Sequence, residues 1–149
     1  MIGLLQRVNE AGVTVGDEVV AAIGPGLLVL VGVEKGDGEA QAARLTERLL
    51  GYRVFPDEEG RMNLSLTEHG GELLLVPQVT LAADTQKGMR AGLSTAAAPA
   101  DGERLFQYLA QRAARLYPRV QSGRFGAHMR VALINDGPVT FWMRAAPPG

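Results

Sequence analysis

The chain has 149 residues, no cysteine and a formal net charge of -1, with 46% hydrophobic and 21% charged residues. This length predicts one domain, 1–149, with a hydrophobic core, and the composition excludes a disordered chain and a strongly basic nucleic-acid binder. Without cysteine there are no disulfides, thiolate nucleophiles or cysteine-bound zinc. The short apolar N-terminus and the lack of a long apolar run predict a cytoplasmic protein with no signal peptide and no membrane span.

The first part of the chain is typical of β-strands. Apolar segments at 2–8 and 13–15 precede another at 19–23, and Gly16-Asp17 between the last two predicts a short hairpin connection. The uninterrupted apolar run 27–33 favours a central strand buried on both faces. The glycines before this run lack the third glycine and the helix of a dinucleotide-binding fingerprint, so no such site is expected.

Two helices are predicted from apolar stripes and end signals. Asp37 is the expected N-cap of a helix that runs to about Leu50. Asp101 is the expected cap of a second helix, 103–117, which Pro118 ends. These elements predict an α+β domain with a mainly antiparallel sheet or barrel and two principal helices.

The segments between the two helices alternate between strands and loops. Residues 53–56 and 72–81 are strand-like, whereas 65–71 is a polar connection. The segment 82–100 is a long loop rich in small residues, and a loop of that length in a compact domain is usually functional or disordered.

Near the C-terminus an alternating segment, 127–134, ends at Asn135-Asp136-Gly137-Pro138, and alternation resumes at Val139. Gly137 tolerates a positive φ, while Pro138 has a fixed φ, donates no hydrogen bond and can follow a cis bond. The simplest interpretation is a tight turn between two strands.

Few conventional catalytic groups are present. His69 and His128 are not in a metal-binding spacing, and G-x-S-x-G, S-x-x-K and P-loop motifs are absent, so no metal and no cofactor is expected. Gln78 and Thr80, at the end of a predicted strand, offer an amide and a hydroxyl that can hold a carbonyl and stabilise an oxyanion, which suits an activated ester. Spacing alone also allows that they are ordinary strand residues.

Six stretches, in order, resemble the D-aminoacyl-tRNA deacylases from residue 2 to about 143. They are Leu5-Gln6-Arg7-Val8, Ile23 to Val33, Met62-Asn63-Leu64-Ser65, Gln78 to Thr85, Gly123-Arg124-Phe125-Gly126-Ala127 and Asn135 to Thr140. Six separate motifs are much more specific than any one of them.

The resemblance implies a homodimer that cleaves the ester between a D-amino acid and the 3′ end of tRNA. It implies that a cis Gly137-Pro138 reaches into the active site of the other subunit, where its carbonyls hold the substrate amino group and an L-amino acid clashes. It places Gln78 and Thr80 in the catalytic pocket, and Arg7 as a support of the Gly-Pro segment across the dimer. Phe125 and Met129, which by pattern alone are core residues, lie near the pocket in this family.

Family chemistry also implies that the ribose 2′-OH beside the ester, with an activated water, carries much of the reaction. The partners are then the aminoacyl-tRNA 3′ end and a second copy of the chain, with no DNA and no membrane. Lys87, Arg90 and Arg124 are candidates for contacts with tRNA phosphates, and a solvated basic edge is the alternative.

One departure from the family concerns the pocket strand, where Pro77 and Val79 stand in place of the usual Ser and Phe. A related animal branch with relaxed chiral discrimination also has Pro-Gln here, whereas Asn135 to Thr140 resembles the D-specific enzymes. The sequence therefore predicts D-specificity, with looser discrimination and attack on glycyl-tRNA as possible additions.

Two further hypotheses remain open. One is a non-catalytic nucleic-acid-binding module on the same scaffold, with Pro77 and Val79 marking a decayed pocket. The other is a small-molecule hydrolase with Thr80 as the nucleophile, which a Thr80→Ala variant with most of its activity would exclude.

Overall fold

The computed structural model describes residues 1–147, which form eight β-strands, three α-helices and one 3-10 helix. The strands are β1 Ile2–Val15, β2 Glu18–Ile23, β3 Gly26–Gly32, β4 Phe55–Pro56, β5 Met62–Leu64, β6 Glu72–Pro77, β7 Val120–Ser122 and β8 Arg130–Arg144. The helices are α1 Glu39–Gly51, α2 Leu66–His69 and α3 Pro99–Leu116, and the 3-10 helix is Val79–Ala82. None of the helices in residues 1–147 is long and apolar enough to cross a lipid bilayer.

The main sheet is arranged around β1. Its strand order is β2-β1-β3-β6-β7, and β8 pairs with β1 as well. The long β1 strand pairs antiparallel with β2, β3 and β8, whereas β3·β6 and β6·β7 are parallel. The predicted α+β fold, with a mainly antiparallel, barrel-like sheet and two principal helices, is thus confirmed, and the Gly16-Asp17 hairpin connects β1 and β2 as expected.

A side chain links the two edges of this sheet and brings it close to a closed barrel. The Gln121 amide on β7 donates from Nε2 to the Ala22 carbonyl oxygen on β2 (2.8 Å) and accepts from the Ala22 N–H at Oε1 (3.0 Å). Next to it, Arg124 forms an ion pair with Glu18 at 2.7 Å. The two hydrogen bonds of Gln121 satisfy the backbone groups of Ala22, which an open edge strand would leave exposed.

The core has one layer on each face of β3 and β6. Alternate residues such as Leu27 and Leu73 pack with Leu45 and Leu105 of the helices. The intervening residues, including Leu28, pack in a second cluster with the first two strands. The predicted burial of 27–33 on both faces is therefore correct.

The starts of the two long helices differ from the prediction. The N-cap of α1 is Gly38, because the Asp37 carboxylate instead accepts from the Met1 ammonium (2.8 Å) and from the Glu34 N–H (2.7 Å). The N-cap of α3 is Ala98, and Asp101 lies within the first turn. Pro99 favours this earlier start, since proline has the φ of the first helical position and needs no intrahelical acceptor there.

Three further elements differ from the sequence interpretation. The predicted polar connection 65–71 contains α2, in which Ser65 and Glu68 form a reciprocal capping box. The predicted strand 72–81 ends at Pro77, and the chain continues as a 3-10 helix. The short strand β7 carries too few apolar residues to give a periodic signal.

Glu34 joins the N-terminal strand to the C-terminal strand. Its carboxylate accepts from Arg144 Nε (2.8 Å) and from the Met1 ammonium (3.2 Å). Partial burial acts to raise the pKa of Glu34, but the hydrogen bonds and charges of Arg144 and Met1 outweigh burial and leave the pKa below its usual value. The ionised carboxylate is thus favoured by the fold.

We expect Glu34→Gln to lower stability in a pH-dependent way. A carboxylate with a depressed folded-state pKa stabilises above its unfolded pKa, about 4.3, and this stabilisation is lost as the pH falls through the folded value. The difference in free energy of unfolding between wild type and variant should be largest at neutral pH and should shrink below about pH 4.3. Urea unfolding from pH 7 to pH 3 measures it. Glu47→Gln, at an exposed pair with Arg44, is the control, and an equal difference at every pH would contradict the linkage.

Candidate active site

Gln78 and Thr80 lie together at the carboxyl end of β6. The Gln78 N–H donates to the Val31 carbonyl oxygen (2.8 Å), which holds this residue against the end of β3. The next residues form the 3-10 helix, and this places the Thr80 hydroxyl where it accepts from Gln78 Nε2. The prediction that Thr80 belongs to a strand is therefore wrong. Its side chain is nevertheless directly hydrogen-bonded to that of Gln78.

The orientation of Pro77 follows from the parallel pairing. In a parallel strand the backbone N–H groups of successive residues point to the neighbouring strands on opposite sides. The Gln78 N–H points to β3, so the nitrogen of Pro77 points to the β7 side. On that side β7 has already ended at Ser122. The Gly123 N–H still donates to the Leu75 carbonyl oxygen on that side (2.8 Å), but Pro77 has no N–H to continue the ladder, and this position offers no donor to the pocket beside it.

Two depressions meet at Gln78 and Val79. The first is an apolar cavity of about 240 Å³ between the ends of β3 and α3. It is lined by Val31, Val33, Gln78, Val79, Ala97, Pro99, Gly102, Phe106, Phe125 and Gly126. The second, of about 280 Å³, also contacts Phe125 and is lined by Val76, Pro77, Gln78, Val79, Phe125, Gly126, Ala127, His128, Met129 and Val131.

Two glycines allow this pocket wall to be compact. A Cβ at Gly102, in the first turns of α3, would lie 3.2 Å from Phe125 Cζ. A Cβ at Gly123 would lie 2.8 Å from Met129 Sδ, closer than real Cβ contacts allow. The sequence interpretation missed Gly102 as a pocket residue, because the predicted helix began only at residue 103 and Gly102 therefore did not stand out as a glycine inside a helix.

The Gly-Pro segment lies in β8 but is not a turn. Val8 pairs with Asn135 and Gln6 pairs with Thr140, so one residue of β1 opposes four of β8, Asp136–Val139, which we call the Gly-Pro loop. Both flanks of this loop pair with β1 in the same direction, and the interpretation as a tight turn between two strands is therefore wrong. The Gly137–Pro138 peptide bond is cis, and Gly137 has a φ of 127°.

Arg7 and Asn135 hold the base of the Gly-Pro loop. Arg7 Nε contacts the Asp136 carboxylate (3.1 Å) and Nη1 donates to the Val54 carbonyl oxygen (2.7 Å). Asn135 Nδ2 donates to the carbonyl oxygens of Arg7 (2.8 Å) and Val139 (3.0 Å). The base is thus fixed from both sides while Gly137 and Pro138 at the tip stay exposed.

Within the chain the Gly-Pro loop and the pocket lie at opposite ends of the sheet. Arg7 is level with Leu27 of β3, whereas the pocket begins level with Val31. Four residues along a strand separate these levels by roughly 13 Å, and β1 and β3 lie between β8 and β6. The structure thus brings Gln78, Thr80, Phe125 and Met129 together and leaves Arg7, Gly137 and Pro138 as a second group.

The two histidines have separate positions. His69 stacks on Phe55 with ring centroids 4.2 Å apart, whereas His128 is exposed beside the pocket. Within residues 1–147 there is no group of three or more His, Asp or Glu side chains that could hold a metal ion.

Fold and pocket together define a class: small α+β proteins with a barrel-like sheet and a polar pair at the carboxyl end of its parallel strands. The family model described as D-Tyr-tRNA(Tyr) deacylase matches residues 4–144. The chain therefore belongs to the D-Tyr-tRNA(Tyr) deacylase family, which confirms the resemblance seen in the sequence.

Individual relatives agree with this assignment. The chain is 63% identical to the D-aminoacyl-tRNA deacylase of Thioalkalivibrio sulfidiphilus over 148 residues (99% of each chain) and 59% identical to that of Nitrosococcus oceani (99% of this chain, 95% of the relative). A solved c-Myc DNA unwinding element binding protein has a TM-score of 0.92 at 33% identity, with 97% of this chain and 98% of that one covered. A probable eukaryotic D-amino acid tRNA deacylase shares the fold at 19% identity, with a TM-score of 0.81 and coverage of 95% and 97%.

Proposed function

We propose that this chain hydrolyses the ester of D-aminoacyl-tRNA and releases the free D-amino acid and tRNA. The observation that carries the proposal is the family match over residues 4–144, combined with the linked Gln78–Thr80 pair at the mouth of an apolar pocket. An enzyme of this kind removes D-amino acids from tRNA before translation uses them.

The chemistry follows from the groups at the pocket. The N–H groups of Val79 and Thr80 begin the 3-10 helix and have no intrahelical acceptor, so they are candidates to stabilise the oxyanion. Gln78 and Thr80 position the ester, but neither is a strong base. Water, held by the ribose 2′-OH, attacks the carbonyl carbon, the bond to the 3′ oxygen breaks, and that oxygen takes the proton that the water gives up. No step requires a metal or cofactor.

The depression beside Phe125 and Met129 fits the terminal adenosine. An aromatic ring and a thioether offer favourable contacts to a flat base. This position leaves the ester of the bound 3′ end next to Gln78, as the proposed reaction needs.

A homodimer explains how the Gly-Pro loop serves catalysis. The loop is too far from the pocket of its own protomer, so we propose that it enters the pocket of a second copy. There the backbone carbonyls would hold the substrate amino group and the loop would leave no room for an L side chain. Partly exposed apolar side chains on β8, namely Leu133, Ile134 and Trp142, support such an association.

Arg7 would support the partner's pocket through the loop of its own protomer. Its contacts with Asp136 and with the Val54 carbonyl oxygen keep the Gly-Pro loop in place before any second copy binds. In this proposal Arg7 acts on the second copy indirectly, because it holds the Gly-Pro loop in the position in which the loop enters the partner's pocket.

The residues Pro77 and Val79 bear on selectivity. Pro77 gives the pocket no N–H donor, and Val79 fills less space than an aromatic ring. We propose that D-selectivity is kept, since it depends on the Gly-Pro loop, and that glycyl-tRNA is also cleaved because glycine has no side chain to reject.

The test is release of amino acid from matched D-tyrosyl-tRNA, L-tyrosyl-tRNA and glycyl-tRNA by protein treated with a chelator. Cleavage of the D-ester and glycyl ester with the L-ester spared is the expected result. Equal cleavage of D and L would place the chain with enzymes of relaxed chirality, and sedimentation of the same sample reports whether it is a dimer.

A second candidate is a nucleic-acid-binding module without catalysis. The name of the relative at 33% identity, a DNA unwinding element binding protein, favours it. It predicts binding of RNA or DNA with no cleavage of any of the three esters.

A further inference from the structure

The segment after the pocket forms an exposed basic loop. Thr85–Arg90, here called the basic loop, leaves the 3-10 helix and is exposed at every residue. Its base is closed by reciprocal backbone hydrogen bonds between Asp84 and Gly92 (2.7 and 2.9 Å) and by the Thr95 hydroxyl, which donates to the Ala82 carbonyl oxygen (2.6 Å). The loop is therefore a projection with a fixed base.

The cations of the basic loop have no acidic partner. Among residues 1–147, neither Lys87 nor Arg90 forms an ion pair with a carboxylate. The nearby Asp84 carboxylate instead accepts from the Gln86 N–H (2.9 Å). Arg124, which is next to the pocket residue Phe125, is paired with Glu18. Two positive charges are thus free in a chain whose net charge is -1.

Met89 lies between these cations and is fully exposed, with a relative accessibility of 101%. A methionine has nothing to pack against at such a position within the protomer. Its flexible, polarisable side chain suits the face of an aromatic ring supplied from outside.

We propose that the basic loop binds the phosphate backbone of the single-stranded RNA that leads into the pocket, with Lys87 and Arg90 at phosphates and Met89 against a base. The loop base at Asp84 is four residues from Thr80, hence at most about 14 Å away, which is close enough to meet the nucleotides next to the one in the pocket. This proposal rests on the proposed function, because it takes the substrate to be a tRNA.

The experiment compares the double variant Lys87→Gln/Arg90→Gln with wild type on two substrates. One is D-tyrosyl-tRNA, and the other is D-tyrosyl-adenosine, which has the ester and the base but no phosphate. The variant should raise KM for the tRNA roughly tenfold at low salt and lower the slope of log KM against log salt by about 1.4, the value for two phosphate contacts on a single strand. Its kcat on the tRNA and its rate on the adenosine ester should match wild type.

Two controls sharpen the comparison. Arg44→Gln/Arg115→Gln makes the same change of net charge on the exposed faces of α1 and α3 and should leave KM and its salt dependence unchanged. Met89→Ser should raise KM for the tRNA without changing the salt slope, because it removes no charge.

Other results would overturn the proposal. An unchanged salt slope would exclude phosphate contacts, and an equal loss on both substrates would mean that the loop shapes the pocket. If wild type cleaved neither ester, the proposed function would fail on its own. Anisotropy of a labelled RNA that ends in CCA would then still decide whether the double variant loses salt-dependent binding.

Discussion

Gly137→Ala should lower the ratio of kcat/KM for D-tyrosyl-tRNA over L-tyrosyl-tRNA by at least about 100-fold, or roughly 2.7 kcal/mol. Gly137 has a φ of 127°, where L residues are strained, and an added Cβ would lie 2.7 Å from Val139 Cγ2 and 3.1 Å from the Val139 nitrogen. The backbone at the loop tip must therefore move. If the loop rejects L-amino acids in a second copy, its displacement admits them.

Most of this change should appear as faster cleavage of the L-ester. The side chains of Gln78 and Thr80, which position the ester, are unchanged, so we expect kcat on the D-ester to stay within about tenfold of wild type although the displaced loop holds the amino group less well. Single-turnover release of labelled amino acid from both substrates measures the two rates separately.

A matched control is available in the first hairpin. Gly16 also has a positive φ, 59°, but an added Cβ meets nothing within 4 Å. Gly16→Ala thus also places an L residue at a positive φ, with less strain because 59° lies in the left-handed region, and it should keep the D-over-L ratio because it is away from both functional groups. Selectivity that survives both Gly137→Ala and Pro138→Ala would exclude the Gly-Pro loop as the chiral filter.

The sequence predicted the parts of the fold that have a clear period. The apolar runs of β2 and β3 and the apolar stripes of α1 and α3 were sufficient, because burial repeats along each of them, whereas the segments 2–8 and 13–15 are parts of one strand, β1. The start of α1 was wrong because a tertiary contact took the capping side chain: Asp37 binds the Met1 ammonium, which is 36 residues away in the chain. Such contacts leave no local signal.

The candidate site was predictable in its residues but not in its arrangement. Gln78 and Thr80 were identified, yet the 3-10 turn that joins their side chains follows from the end of β6 at Pro77, and periodicity does not report it. The Gly-Pro loop was interpreted as a turn because Gly-Pro usually ends a strand. Only the register with β1 shows that β8 continues past the loop, and that register depends on residues more than 120 positions away.

Replacing the terminal adenosine of D-tyrosyl-tRNA with 2′-deoxyadenosine should slow the reaction much more than Thr80→Val does. We expect the rate to fall at least about 10³-fold for the deoxy substrate. The 2′-OH is fixed next to the ester, and without it the attacking water loses the group that orients it. Thr80→Val removes one hydroxyl that accepts from Gln78 Nε2. Its expected cost is about 10- to 100-fold in kcat, less than the roughly 10²- to 10³-fold cost of losing an oxyanion donor, because the hydroxyl acts by positioning Gln78.

This comparison separates substrate-assisted hydrolysis from a threonine nucleophile. If Thr80 formed an acyl intermediate, Thr80→Val would abolish cleavage, Thr80→Ser would restore it, and a rapid burst would precede steady turnover. In the proposed mechanism water attacks directly, so neither a burst nor an acylated protein is expected. Mass spectrometry of protein quenched during turnover with D-tyrosyl-tRNA detects the acyl adduct. An adduct on Thr80 together with normal cleavage of the deoxy substrate would show that Thr80 is the nucleophile. No adduct together with slow cleavage of the deoxy substrate would show that the tRNA 2′-OH assists the water and that Gln78 and Thr80 position the ester.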